Sequence, residues 1–250
     1  LLDEDTGHMS MILLPSGMEP LFDQRQEWFE NEELKPTGIR MTTWDVGSLC
    51  HLALRHHPQA GFAGNTLKGG YSTQQLKFFD QVKIRDEKRE AVITELRAEE
   101  GYSVIHQVSH YKGENGIEVE TMLRNGTGRT VQVDMMTSFV LDNLSPLQRD
   151  DAPYKLSLHR YRGGWSLEGK HCEDSVESLN LENTWFFPGQ ESERYGVRGS
   201  YPVKQFFPFG AVEDKAYGVF WGAQLAVNSS WQMEFSKDKQ CYSLSGGLGD

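Results

Sequence analysis

The stretch Ile117–Leu123 reads Ile-Glu-Val-Glu-Thr-Met-Leu, alternating apolar and polar residues one for one. That period fits a strand with one buried face and does not fit a helix. Asn125-Gly126 and Gly128 follow with turn chemistry, then Val131–Met135 alternates again, so the segment predicts a β-hairpin. Tyr102–Tyr111 reads as a strand running into a turn at Gly113–Gly116. Gly218–Leu225 and Trp231–Phe235 read as a further strand pair turning at Asn228-Ser229-Ser230. Arg85–Glu100 is rich in Glu, Lys, Arg and Ala, which favour helix. Its β-branched Val92-Ile93-Thr94 and flanking strands predict instead a hairpin with Asp86-Glu87-Lys88 at the tip. The polar, acidic run Gln24–Thr37 predicts a loop or a short helix.

Short strands at regular spacing, with no internal repeat and no flexible tether, predict an all-β chain. At 250 residues the expected architecture is one large two-sheet β-supersandwich with few short helices, spanning residues 11–250. Residues 1–10 contain Gly7-His8-Met9, resembling a cloning scar, and are expected to be disordered or vector-derived. Ser245–Asp250 stops just after a strand, as a chain cut before its next domain would.

The balance of 25 basic against 36 acidic residues gives a net charge of −11, which repels phosphate backbones and disfavours a nucleic-acid partner. No apolar run reaches the roughly 18 to 20 residues of a membrane helix. Cys50, Cys172 and Cys241 are widely separated, so neither a disulfide framework nor a zinc motif is signalled. Isolated thiols suit a reducing, cytoplasmic compartment. No phosphate loop, dinucleotide fingerprint, nucleophile elbow or zinc helix is present, and no cofactor is implied.

His56-His57-Pro58 begins a glycine-rich loop that includes Asn65. His56, His57 and Asn65 are therefore the candidates for contact with a sugar or a neighbouring subunit, against the plainer reading of an ordinary polar loop. His106 and His110, four apart on a strand, share a face and fit half-buried polar positions or an acid/base pair. His171-Cys172-Glu173-Asp174 would suit a metal only with a further ligand from elsewhere, and otherwise reads as a solvated loop. Glycosidase chemistry needs two carboxylates. Among Glu168, Glu173, Asp174, Glu177, Glu182, Glu213 and Asp214, spacing singles out no pair. Aromatic residues crowd the second half, from Trp165 to Trp221. They fit a core, a docking surface or a carbohydrate platform.

The second half also carries ordered blocks: Trp165–Gly169, Glu177–Trp185, Arg194-Tyr195-Gly196, Gly199–Val203, Phe207–Asp214 and Tyr217–Leu225. Over about residues 35–250 the chain resembles the N-terminal domain of glycoside hydrolase family 36, the α-galactosidases with some α-N-acetylgalactosaminidases. The resemblance implies a galactose mutarotase-like supersandwich that precedes a (β/α)8 barrel. It further implies retaining hydrolysis of an α-linked galactoside or N-acetylgalactosaminide without a cofactor, and a homo-oligomer. Both catalytic aspartates of that family lie in the barrel, so no catalytic residue is carried over. An acidic-Leu-Pro…Tyr-Pro…Asp-Phe-Arg pattern that shapes the sugar pocket in several members is missing from about His51 to Gly70. The expected role is a non-catalytic domain that packs on the barrel, supports oligomer contacts and frames the pocket, soluble alone but prone to associate. The alternatives are a free-standing carbohydrate-binding module and, less favoured, an epimerase-like enzyme using His106, His110 or His159 as acid.

Overall fold

Residues 2–21, 47–58, 68–144, 147, 152–164, 166, 168–182, 191–199, 204–238 and 241–249 are described by the structure, a computed structural model. The all-β expectation holds, with the strands arranged in three antiparallel sheets. In chain order the strands are β1 (Leu52–Leu54), β2 (Lys77–Arg85), β3 (Arg89–Arg97), β4 (Tyr102–Tyr111), β5 (Glu118–Asn125), β6 (Val133–Leu144) and β7 (Leu156–Gly163). They continue with β8 (Lys170–Ser175), β9 (Glu191–Val197), β10 (Gln205–Phe206), β11 (Phe209–Asp214), β12 (Val219–Gln224), β13 (Trp231–Asp238) and β14 (Cys241–Gly249). One helical turn, α1, spans Tyr71–Gln74, and a 3₁₀ turn spans Glu177–Leu179. No helix among the described residues is long and apolar enough to cross a membrane.

Two compact units are built from interleaved stretches. Unit 1 comprises Leu1–Met11, Val46–Val140 and Gly246–Asp250; unit 2 comprises Ile12–Asp45 and Leu141–Ser245.

Unit 1 holds the four-stranded meander β2-β3-β4-β5. Its first hairpin forms as predicted because Asp86 closes the tip: Oδ1 accepts the backbone N–H groups of Lys88 and Arg89 at 2.7 and 2.8 Å. Alternation then sends Leu96, Tyr102 and Val104 into a core with Leu52, Leu54 and Leu76, all 3 % exposed or less. Cys50 lies in the same core, where burial pushes its thiol up to about 12. β1 pairs antiparallel with β6. Ser72 and Thr73 of α1 satisfy the other edge of β1: their hydroxyls accept the N–H groups of Leu54 and Leu52 at 3.1 and 2.8 Å.

Two predicted pairings are corrected. β5 pairs with β4, while β6 pairs with β1, so Asn125–Val131 carries the chain between sheets instead of closing a hairpin. The physical reason is the connection itself. Asn125 spends its side chain on Thr127 N–H and on the carbonyl of Arg129, forming a wide turn rather than a two-residue one. Likewise β12 pairs with β11 and β13 with β9. Residues 2–10, expected to lie outside the fold, belong to it. Leu2 bridges Met9, Phe78 N–H donates to Gly7 O at 2.8 Å, and Met9 packs against the unit 1 core. The Gln24–Thr37 expectation lies outside the described residues.

Unit 2 is centred on β7, which pairs with β8 along one edge and with β10 and β11 along the other, β12 following β11. Leu158, Val212 and Trp221 face inward, 0, 0 and 4 % exposed. Trp221 Nε1–H donates to Leu13 O at 2.9 Å. Arg160 is buried among two carboxylates and two rings: it donates to Asp174 at 2.7 Å and Glu193 at 2.5 Å, and lies over Tyr195 and Phe206. Burial alone would lower its pKa, but these two hydrogen bonds raise it.

Candidate functional site

His159 stands opposite Glu173 across the β7–β8 ladder and opposite Ala211 across the β7–β11 ladder. Counting by twos along each strand places Tyr161, His171, Phe209 and Glu213 on the same face. This face is turned away from Leu158 and Val212, so the strand period that builds the core also builds the site. His171-Cys172-Glu173-Asp174, expected as a loop, is the body of β8. His171 and Glu173 point to this face while Asp174 joins Arg160 on the other.

A chain of polar contacts crosses the three strands. His159 Nδ1 lies 2.9 Å from His171 Nε2, and His159 Nε2 lies 3.0 Å from Glu213 Oε2. A carboxylate only accepts, so His159 donates from Nε2 and its Nδ1 accepts from the Nε2–H of His171. Both ring nitrogens of His159 are thus engaged, and the two imidazoles are coplanar within 5°. Lys215 Nζ meets Glu173 at 2.5 Å and holds that carboxyl below its ordinary range, burial opposing the shift. At the side chain His159 is 11 % exposed and Glu213 20 %.

Aromatic rings frame the relay. Phe220 lies 5.5 Å from His159, Tyr161 lies 5.4 Å from His171 and 5.6 Å from Phe209. Phe220 is 57 % exposed and Tyr161 39 %, whereas Trp221, Tyr195 and Trp231 are buried. The crowded aromatics thus divide between core and surface. Flat apolar rings beside fixed donors and acceptors are what a sugar requires: ring faces for its C–H surface, polar groups for its hydroxyls.

The same geometry limits the chemistry. Ligand atoms of His159, Glu173 and Glu213 lie within 4.8 Å of one another, so two carboxylates, the number a glycosidase needs, share this face. A glycosidase acid needs a raised pKa, and Lys215 drives Glu173 the other way. Asp3, Asp86, Glu95 and Glu100 are also shifted downward. His159 and Glu213, a histidine and a glutamate, are bonded to each other at 3.0 Å. His106 is sealed in unit 1 at 1 % exposure, and His110 bonds Glu114 O at 3.0 Å in the β4–β5 turn. Neither joins His159.

His56 and His57, expected in an open loop, converge on Glu100. His57 is 8 % exposed, with Nδ1 2.9 Å from Ser72 Oγ and Nε2 2.8 Å from Glu100 Oε1. Ser72, His57 and Glu100 form the bond sequence of a nucleophilic triad. Ser72 is only 1 % exposed and its oxygen already accepts Leu54 N–H, so it does not meet a substrate. Asn65 lies outside the described residues. No family model matches this chain, and no curated protein or solved structure matches it.

Proposed function

We propose that this chain is the N-terminal β-sandwich of a retaining exo-α-glycosidase of the α-galactosidase type, and that it recognises and supports sugar without cleaving it. The observation that carries the recognition role is the open face of β7, β8, β11 and β12, with Tyr161 and Phe220 exposed beside the His171–His159–Glu213 relay. The all-β fold accords with the family resemblance of the second-half blocks. A catalytic barrel in the parent protein would supply the two aspartates for double displacement: attack on the anomeric carbon by one, and protonation of the leaving oxygen by the other. Galactosides or N-acetylgalactosaminides are the expected ligands, and a homo-oligomer the expected assembly.

Two measurements test this. Hydrolysis of 4-nitrophenyl α-galactoside and its 2-acetamido analogue is expected from a longer gene product containing the barrel and not from these 250 residues. Activity in this chain alone would overturn the non-catalytic reading. Saturation-transfer NMR with methyl α-galactoside is expected to show contact that Phe220→Ala and Tyr161→Ala each weaken. Contact unchanged by both substitutions would remove the platform. Contact in the absence of any hydrolytic parent would favour a free-standing binding module.

A further inference from the structure

A second cluster, in unit 1, has the donor set of a metal centre. Consecutive residues on a strand point to opposite faces. His56 and His57 sit in the turn after β1, fixed by His57 N–H donating to Leu54 O at 2.9 Å, and their rings lie side by side at 4.1 Å. Glu100 approaches from the turn between β3 and β4. His57 Nε2 is 2.8 Å from Oε1 and His56 Nε2 is 3.6 Å from Oε2, and one ligand atom from each of the three residues lies within 4.8 Å of the others. Around a tetrahedral ion with ligands at about 2.0–2.2 Å, donor atoms stand about 3.3–3.5 Å apart. The contact of His57 with Oε1 is shorter than that value and the contact of His56 with Oε2 slightly longer, so the carboxylate has to shift between the two rings to ligate.

Arg129 shows which kind of guest the cluster favours. Its guanidinium contacts Glu100 Oε2 at 3.3 Å and His56 Nε2 at 3.4 Å. A guanidinium has no lone pair. Glu100 and His56 thus both face a cation already in residence. Arg129 itself is 61 % exposed at the side chain and stands in the wide turn after β5. Behind the cluster, Ser72 Oγ holds the far nitrogen of His57, the support that a ligating imidazole commonly has.

We propose that His56, His57 and Glu100 form a three-ligand site for a zinc-like divalent cation, with Arg129 as the resident competitor that binding displaces. Two imidazoles with one carboxylate select borderline transition ions over calcium or magnesium, which take oxygen ligands. His57 ligates through Nε2 after its proton moves to Nδ1. There it donates to Ser72 Oγ. Glu100 is 33 % and His56 35 % exposed at the side chain, so the cluster is in reach of an ion from solvent.

The test is titration of the untagged, metal-stripped chain with Co²⁺ and Zn²⁺, followed by cobalt visible absorption and by calorimetry. One equivalent is expected with tetrahedral cobalt bands. His56→Ala and Glu100→Gln are each expected to weaken binding about tenfold or more, and Arg129→Ala to strengthen it severalfold. His159→Ala, in the other His–Glu cluster, is expected to leave it unchanged. Far-ultraviolet circular dichroism of each variant separates lost binding from lost fold. No cobalt bands in the folded wild-type chain, binding that survives both His56→Ala and Glu100→Gln, or loss on His159→Ala would overturn the site. Unchanged or weaker binding in Arg129→Ala would overturn the competition.

Discussion

His106 sits between Thr94 and Thr121 on the inward face of the β3-β4-β5 ladder, and its Nε2 has no hydrogen-bond partner among the described residues. Burial pushes its pKa down to about 4 from 6.5. His51, fully enclosed, is pushed to about 3 by burial and then by Lys68. The unfolded chain takes up these protons as pH falls below 6.5, while the folded chain refuses them until near 4 and 3. Stability is therefore fully present above pH 6.5 and is lost as pH falls through that window. With about 1.4 kcal/mol per pH unit, His106→Leu is expected to reduce the stability lost between pH 7 and pH 4.5 by roughly 2–3 kcal/mol. Urea denaturation at the two pH values measures this, and an undiminished loss would mean that His106 does not titrate as described. Arg160 is a contrasting residue, buried with both terminal nitrogens paired to carboxylates. Arg160→Met leaves Asp174 and Glu193 facing each other without a cation, and a loss of about 2–3 kcal/mol is expected at pH 7. A midpoint within error of wild type would show that the pair contributes little.

At the level of elements, periodicity made the strands legible and left their partners hidden. β4 was readable residue for residue, and Asp86 marked the β2–β3 tip because a turn is a local event. The partners of β6 and β13 could not be read, since nothing in Val133–Leu144 or Trp231–Asp238 names the strand across the ladder. The sites divide in the same way. The adjacency of His56 and His57 was visible, but Glu100 lies 43 residues from His57. The relay draws Glu213 from 54 residues beyond His159. The i, i+2 spacing of His171 and Glu173 was the one local signal that both share a strand face. The β2-β3-β4-β5 sheet also carries Val82, Ile93, Ile105 and Met122 on its outward side, with Val82 50 % and Met122 57 % exposed. Such a stripe favours self-association. The double substitution Val82→Lys with Met122→Lys is expected to shift the chain toward monomer in sedimentation velocity. A wild-type chain that is already monomeric at high concentration would remove that expectation.

Across the whole molecule, the ladders join distant parts of the chain: His51 and Thr137, 86 residues apart, are bonded through the Thr137 hydroxyl beside the β1–β6 pairing. Loop closure of that length precedes any reward from the contact, so refolding on the scale of seconds or slower is expected in stopped-flow fluorescence. A single millisecond phase would contradict it. The interleaving of the two units has a further consequence during synthesis. Val46–Val140 leaves the ribosome early, but Gly246–Asp250 belongs to the same unit and follows only after the whole of Leu141–Ser245. Through Gly247 it lies against the backbone of Met136–Ser138. A nascent chain stalled at residue 245 would hold most of unit 1 outside the exit tunnel without its final strand segment, leaving it to chaperones until residues 246–250 emerge.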